Sequence, residues 1–377
     1  MKTLLVIIRW IVGLLFIFSG LVKANDPLGL SYKMQEFFEV WGLTGLNDYT
    51  LALSLIMNIF EVLAGVAVII GWRMKLFSWL LLLLIVFFTF LTGYAALSGK
   101  IKTCGCFGDC IPLTPVASFI KDVVLLILIL ILFINRKNTV SALSAPRAMF
   151  VLIGCIIAVA FFQQYVMTYL PVKDCLPFRV GANIVENMKV LPGHADIYEL
   201  TFRYKKDGKE MEFSAEQLPA DLDSTYEFID RYQKLVKAGE QPKIVDFALQ
   251  NEDGADTTVA VLNQGYDYVM VFVNDFTGKQ DWLNKDFDSL NNMLASKRLP
   301  LFVVTSRKED AQAALAGKKN VTILTCDGTV IKTAARVNPT YFVMNMANIK
   351  GKYSYAEVDE VIAKVKTAAP KSPDLDF

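Results

Sequence analysis

"RWIVGLLFIFSGLVK", residues 9–23, sets an arginine inside an apolar run at the start of the chain. Read as a cleaved secretion signal, the run leaves a soluble protein behind it; read as a retained helix, it opens a membrane bundle. The second reading is favoured, because Arg9 lies mid-run, no small-residue cleavage site follows, and more apolar runs do follow. About 20 apolar residues are needed for a helix to cross the hydrocarbon core. Five runs meet that length: Leu4–Leu21, Leu51–Gly71, Leu76–Leu97, Val116–Ile134 and Ala148–Leu170.

Composition supports a split chain. A mean hydropathy of +0.40 with 54% hydrophobic residues over 377 positions is too apolar for an ordinary soluble protein, and 20% charged residues are too many for an all-membrane one. The apolar runs end near residue 170, and the remainder alternates like a globular domain. A net charge of +1 without a basic, aromatic-interleaved patch argues against a nucleic-acid partner. His194 is the single histidine, which disfavours Ser–His, Cys–His and multi-histidine metal chemistry. The six cysteines are Cys104, Cys106, Cys110, Cys155, Cys175 and Cys326.

Loop charges orient the spans. Lys2, the turn "WRMK" (Arg73, Lys75) and the loop "NRKNTVSALSAPR" (Arg136, Lys137, Arg147) fall on one side if five helices alternate, and Lys23, Lys33, Lys100 and Lys102 on the other. The expectation is a bacterial inner-membrane protein of five spans, N-terminus cytoplasmic. The cysteine loop and everything after Leu170 then lie in the oxidising periplasm, where disulfides persist.

Ionisable residues at membrane depth usually face the bundle and find partners. Arg9, Gly13, Phe16 and Gly20 share one helical face, as do Asn58, Glu61 and Gly65. An Arg9–Glu61 pair would clamp two helices whose glycines permit close packing. The competing reading is a polar pocket for a quinone-like carrier, with Asp122, beside Lys121, as a further candidate. The clamp is preferred, since no second carboxylate lines up with Glu61.

"RWIVGLLFIFSGLVK", the loop "DPLG" and "NIFEVLAGVAVIIG" (58–71) resemble the DoxX family of four-helix membrane proteins. The cysteine loop between the third and fourth spans is closer to the MauE branch, associated with periplasmic disulfide chemistry. MauE-like and vitamin K epoxide reductase-like bundles share the placing of cysteines at the outer membrane edge. The resemblance, over about residues 1–135, implies redox work with Arg9, Glu61 and the Cys106/Cys110 pair as functional residues.

Beyond the fifth span, "YELTFRYKKDGKEMEFSAEQLP" reads as a hairpin around Asp207-Gly208. "STYEFIDRYQKLVKAG" (224–239) reads as a helix with Ser224 as N-cap, Glu227 in the capping box and Gly239 as stop. From residue 241 strands and helices alternate, the pattern of an α/β layer fold. "P-x-I-x-D-F-x-L" at 242–249 and Pro339 before a strand resemble the thioredoxin-like fold, in its TlpA and peroxiredoxin branch, over about residues 240–366. That resemblance implies a cis Asn338–Pro339 bond. Where thioredoxins place Cys-x-x-Cys, this chain has "NDFTGKQDW" (274–282), without cysteine. Cys326 then reads as a small buried residue, and Cys155 as a membrane-packing one.

The expected organisation is a DoxX/MauE-like four-helix membrane domain at 1–135, then a cytoplasmic loop with the fifth transmembrane helix at 136–171. A hairpin-and-helix connector at 172–240 follows, then a degenerate thioredoxin-like domain at 241–367 and a tail at 368–377.

Four thiols share a side and a depth: Cys104, Cys106, Cys110 and Cys175. Joining Cys104 to Cys106 would close a strained ring. Two pairings are left: Cys106–Cys110 with Cys104–Cys175, or Cys104–Cys110 with Cys106–Cys175. The first is preferred because Gly108 and Asp109 can turn the chain. As a redox site, the loop would exchange electrons with periplasmic thiol proteins or a membrane carrier, making the chain a thiol–disulfide oxidoreductase component. As staples, the disulfides would fix a non-enzymatic scaffold whose degenerate outer domain recruits partners. A four-thiolate metal site is the third reading, disfavoured by spacing and compartment. No cofactor or metal is assigned, and the lipid bilayer is the one partner the composition demands.

Overall fold

The computed structural model describes residues 2–99, 101, 105, 107–190, 197–206, 208–219, 222–223, 225–237, 239, 242–276 and 281–371. Cys104, Cys106, His194, Asp207 and Ser224 lie outside these.

The chain begins with α1 (Lys2–Asn25), α2 (Pro27–Val40), α3 (Thr50–Ile70), α4 (Met74–Ser98), α5 (Pro115–Ile134) and α6 (Ala145–Tyr169). All of these except α2 contain an expected apolar run and are long and apolar enough to cross a membrane. The short α2 was not foreseen. Asp26 caps it, accepting from Gly29 N at 3.0 Å, and Pro27 occupies its first turn.

α1 and α3 pack through their glycines. A Cβ on Gly13 would meet Gly65 O at 2.8 Å, and one on Gly65 would meet Gly13 O at 2.6 Å. The two faces expected to be polar and glycine-lined therefore face each other, with backbones close as in small-residue membrane packing. α6 joins α3 through Asn58 and Gln163, whose side chains bond at 3.0 Å.

A short α7 (Ile184–Asn187) follows the last span. Next come β1 (Ile197–Lys206), β2 (Lys209–Ser214) and β3 (Glu227–Lys237), an antiparallel sheet in the order β2-β1-β3. The helix expected at 224–239 is thus a strand. Phe228, Ile229, Tyr232, Leu235 and Val236 suit a helical face, but pairing with β1 decides the conformation: Tyr204 opposes Phe228, with rings 5.7 Å apart.

The remaining elements are α8 (Thr258–Leu262), β4 (Asp267–Phe272), α9 (Lys285–Ser296), β5 (Leu301–Thr305), α10 (Lys308–Ala314), β6 (Val321–Thr325), α11 (Gly328–Ala334), β7 (Thr340–Asn345), β8 (Asn348–Ser354) and α12 (Val358–Thr367). The sheet order is β6-β5-β4-β7-β8; β4, β5 and β6 run parallel, β7 and β8 antiparallel. β4 is buried along both faces, Met270 and Phe272 in one core layer, Val269 and Val271 in the other. The Asn338–Pro339 bond is cis.

The stem after α6 belongs to this outer unit rather than to a separate connector. Phe178 and Ile184 are buried in its core, and residues 181–184 bond to the edge strand β8, with Gly181 N to Ile349 O at 2.8 Å. The three-stranded sheet is an excursion between the stem and residue 242.

Candidate functional site

Cys110 and Cys175, 65 residues apart, form a disulfide with Cα atoms 4.9 Å apart. This corrects the expected pairs: Cys110 bonds neither Cys106 nor Cys104, and Cys175 takes neither of them. The physical reason is the company each cysteine keeps. The loop reaches Cys110 through Gly108 (φ +57°), whose N–H bonds Gly105 O at 3.0 Å. The stem carrying Cys175 is held against the end of α1, where Asn25 bonds Lys173 O at 2.9 Å and accepts from Lys173 N at 3.2 Å. The turn read as closing Cys106 onto Cys110 instead presents Cys110 to the stem.

An aspartate precedes each bonded cysteine, and each aspartate meets a buried cation of the outer unit. Arg336, between α11 and β7, is 5% exposed; its Nη2 lies 3.0 Å from Asp109 Oδ2 and its Nε 2.9 Å from both Asp26 oxygens. Lys352 of β8 is 3% exposed, with Nζ 2.7 Å from Asp174 Oδ2. Burial works to lower the Arg336 pKa, but the carboxylates of Asp26 and Asp109 outweigh it and leave it above the ordinary arginine value. For Lys352 burial wins, pushing the ammonium below the usual lysine range against the pull of Asp174.

Cys175, half-buried, lines a groove of about 990 Å³ between the bundle and the outer unit, which Asp109 and Arg336 also line. On the membrane side of the same loop lies a cavity of about 230 Å³ with aromatic walls that include Phe37, Trp41, Phe88 and Phe107. Phe107, three residues before Cys110, packs on Phe18 at 5.7 Å and lies under Lys121 Nζ at 5.0 Å.

Two ion pairs line this cavity. Lys23 pairs with Glu61, 3% and 0% exposed, and Ser19 also donates to Glu61 at 3.0 Å. Lys121 lies 2.6 Å from Asp122, to which Thr92 donates at 3.0 Å. The carboxylates of α3 and α5 therefore do share one pocket, contrary to the expectation that nothing accompanies Glu61. The Arg9–Glu61 pair does not form. Arg9 donates to Val68 O at 2.9 Å and Ile69 O at 2.5 Å, capping α3 at the opposite end of the bundle. It lies 14 residues before Lys23, roughly 21 Å along a helix. Lys23, read from sequence as a loop charge, is the residue that reasoning missed; its place one turn after Ser19 was the available signal.

Among the described residues, Cys155 and Cys326 carry free thiols. Cys155 is half-buried in α6, and Cys326, 7% exposed, has its thiol pushed up to about 11 by burial. Within 274–282 the described residues divide: Phe276 and Trp282 are buried in the core, and Asn274 and Asp275 are polar. Asn338 Oδ1 accepts from Asn274 N at 2.9 Å, and Asp275 pairs with Arg307 at 3.2 Å.

Residues 198–238, the three-stranded sheet, match a family model described as Domain of unknown function (DUF8463). No curated protein and no solved structure matches the chain. Residues 1–135, which carry Cys110 and the described walls of the cavity, match the family model described as Methylamine utilisation protein MauE.

Proposed function

We propose that this membrane protein exchanges thiols and disulfides on the periplasmic side of a bacterial inner membrane, through Cys110 and Cys175. The observation that carries this reading is the placing of the disulfide: it ties the loop that closes a charged, aromatic cavity to the stem beside an open groove. The MauE match over residues 1–135 supports it. The loop charges support a cytoplasmic N-terminus, and Lys23, counted against that bias, is buried in an ion pair rather than in a loop.

In the oxidising direction, a partner thiolate entering the groove attacks Cys175 Sγ, breaks the Cys110–Cys175 bond and releases Cys110 as the leaving thiolate. The partner's second thiol then attacks the mixed disulfide. It leaves with its own disulfide, and two electrons and two protons remain on Cys110 and Cys175. To restore the bond, those electrons and protons must go to a membrane carrier. A quinone-class ring supplies two-electron, two-proton acceptance when bound, and the cavity fits one: its walls are apolar, and Lys23 and Lys121 can hold carbonyl oxygens beside the carboxyl groups of Glu61 and Asp122. Arg9, at the far end, takes no part.

The outer unit is read as a degenerate thioredoxin-like domain, on its sheet order and on the cis Asn338–Pro339 bond leading into β7. With no cysteine at 274–282 and Cys326 buried, it has no dithiol of its own. That observation favours a second reading, a scaffold in which Cys110–Cys175 is only a staple.

Thiol trapping in cells separates the two. Exchange predicts that Cys110→Ala accumulates a partner linked to Cys175: run in reverse, the free Cys175 thiolate attacks an oxidised partner's disulfide, releases the partner's other thiolate, and no Cys110 is left to resolve the adduct. A permanently oxidised pair, with full function in Cys110→Ala/Cys175→Ala, would leave the scaffold. Reporters fused after Thr139 and after Asp174 should read cytoplasmic and periplasmic; the reverse result would overturn the compartment.

A further inference from the structure

The two cysteines of the disulfide come from segments of opposite origin, the bundle loop and the stem of the outer unit. The residue before each is held by a different part of that outer unit, the segment between α11 and β7 or the strand β8. Arg336 reaches Asp109, and Lys352 reaches Asp174. The side chains of both cations are nearly fully buried, 5% and 3% exposed, so these pairs are built into the docked arrangement rather than lying on an open surface. Arg336 also grips Asp26 with Nε, at the start of α2, and its guanidinium carbon lies 5.4 Å from the Tyr32 ring. Gly29 makes room for this: a Cβ there would meet Asp26 Oδ2 at 2.6 Å and Arg336 Nη2 at 3.4 Å.

We infer that Arg336 and Lys352 are positioning residues, and that docking of the outer unit on the bundle and formation of the Cys110–Cys175 bond are coupled. The docked unit holds the two sulfurs within bonding reach, so docking favours the disulfide over the dithiol. Linkage makes the effect reciprocal: reduction of the bond weakens docking by the same factor. The outer unit, without a dithiol of its own, would then act as a latch that sets how readily this disulfide is reduced and that loosens when it is. The use of the latch in exchange rests on the function proposed above; the coupling itself does not.

The test uses the full chain in lipid nanodiscs, equilibrated in buffers of reduced and oxidised dithiothreitol. Differential alkylation and mass spectrometry of the peptides bearing Cys110 and Cys175 then give the redox state of this pair alone. Arg336→Met and Lys352→Met should each make the bond at least about tenfold easier to reduce, equivalent to about 30 mV. The swap Asp174→Lys/Lys352→Asp should recover most of the loss. An equilibrium within twofold of the unmodified chain in both Met variants would overturn the coupling.

A second arm needs no variant and so survives any folding defect. Reducing the unmodified chain should raise deuterium uptake at residues 332–340 and 348–354, and unchanged uptake there would equally overturn the inference. A shifted equilibrium with no trapped partner in cells would sink the exchange reading and leave the latch standing. The opposite pair of results would do the reverse.

Discussion

Lys23 of α1 and Glu61 of α3 are paired in the bundle interior, 3% and 0% exposed, with Phe88 ring 5.0 Å from the ammonium. An ion pair this deep carries a large desolvation cost, so its two halves are not independent.

Removing one partner strands the other charge. Lys23→Met should destabilise the bundle by about 3–5 kcal/mol, whereas Lys23→Met/Glu61→Leu should come close to neutral. Thermal unfolding of both variants in detergent checks this. Equal losses in the single and the double variant would mean that the side chains matter for packing rather than as a charge pair.

The α1–α3 contact should tolerate nothing larger than glycine at its centre. Gly65→Val places atoms where Gly13 O already lies 2.6 Å from a built Cβ. A loss of at least about 1–3 kcal/mol is expected from overpacking, with helix separation beyond that. Thermal unfolding in detergent checks this, and an unchanged midpoint would mean that the contact yields without cost.

Cys326 should resist alkylation at pH 7.5 in the folded chain and react on unfolding, because its thiol titrates near 11. The sign for stability follows from the same shift. The folded state keeps the proton to about 11, whereas an unfolded thiol loses it near 9, so this contribution is full below pH 9 and fades as pH rises to 11. Cys326→Ala should flatten that part of the pH profile, which urea titrations at pH 8, 9.5 and 11 would reveal.

Trp41 lines the cavity, so a soluble naphthoquinone entering it should quench the chain's tryptophan emission saturably. In Trp41→Phe the saturable part should fall by roughly its own share of the five tryptophans. Identical quenching in both proteins would place the quinone elsewhere.

The five spans could be read directly, since each run exceeds the hydrocarbon thickness and no soluble element needs such length. The partners inside the bundle could not. Arg9 and Glu61 have complementary charges, but Arg9 meets the end of α3 at Val68 and Ile69, about two turns beyond Glu61, and spacing along a sequence carries no depth. The strand β3 was concealed for a related reason. Its apolar residues at 228, 232, 235 and 236 satisfy a helical period, and only the opposing β1 selects the extended form. α2 escaped notice because its mixed composition has neither the length of a span nor a clean period. The disulfide was half legible. The bonded pair, Cys110 and Cys175, lay among the four cysteines singled out in the sequence, but the choice among them depended on Asn25 and Lys352, residues far from the loop in sequence.

The stem at residues 173–175 is tied three ways within three residues: by Asn25 to the end of α1, by Lys352 to the edge of the outer sheet, and by sulfur to the loop before α5. Such a joint has no free swivel. In a bilayer it would fix the azimuth as well as the height of the outer unit, and with them the bearing of the groove that Cys175 lines.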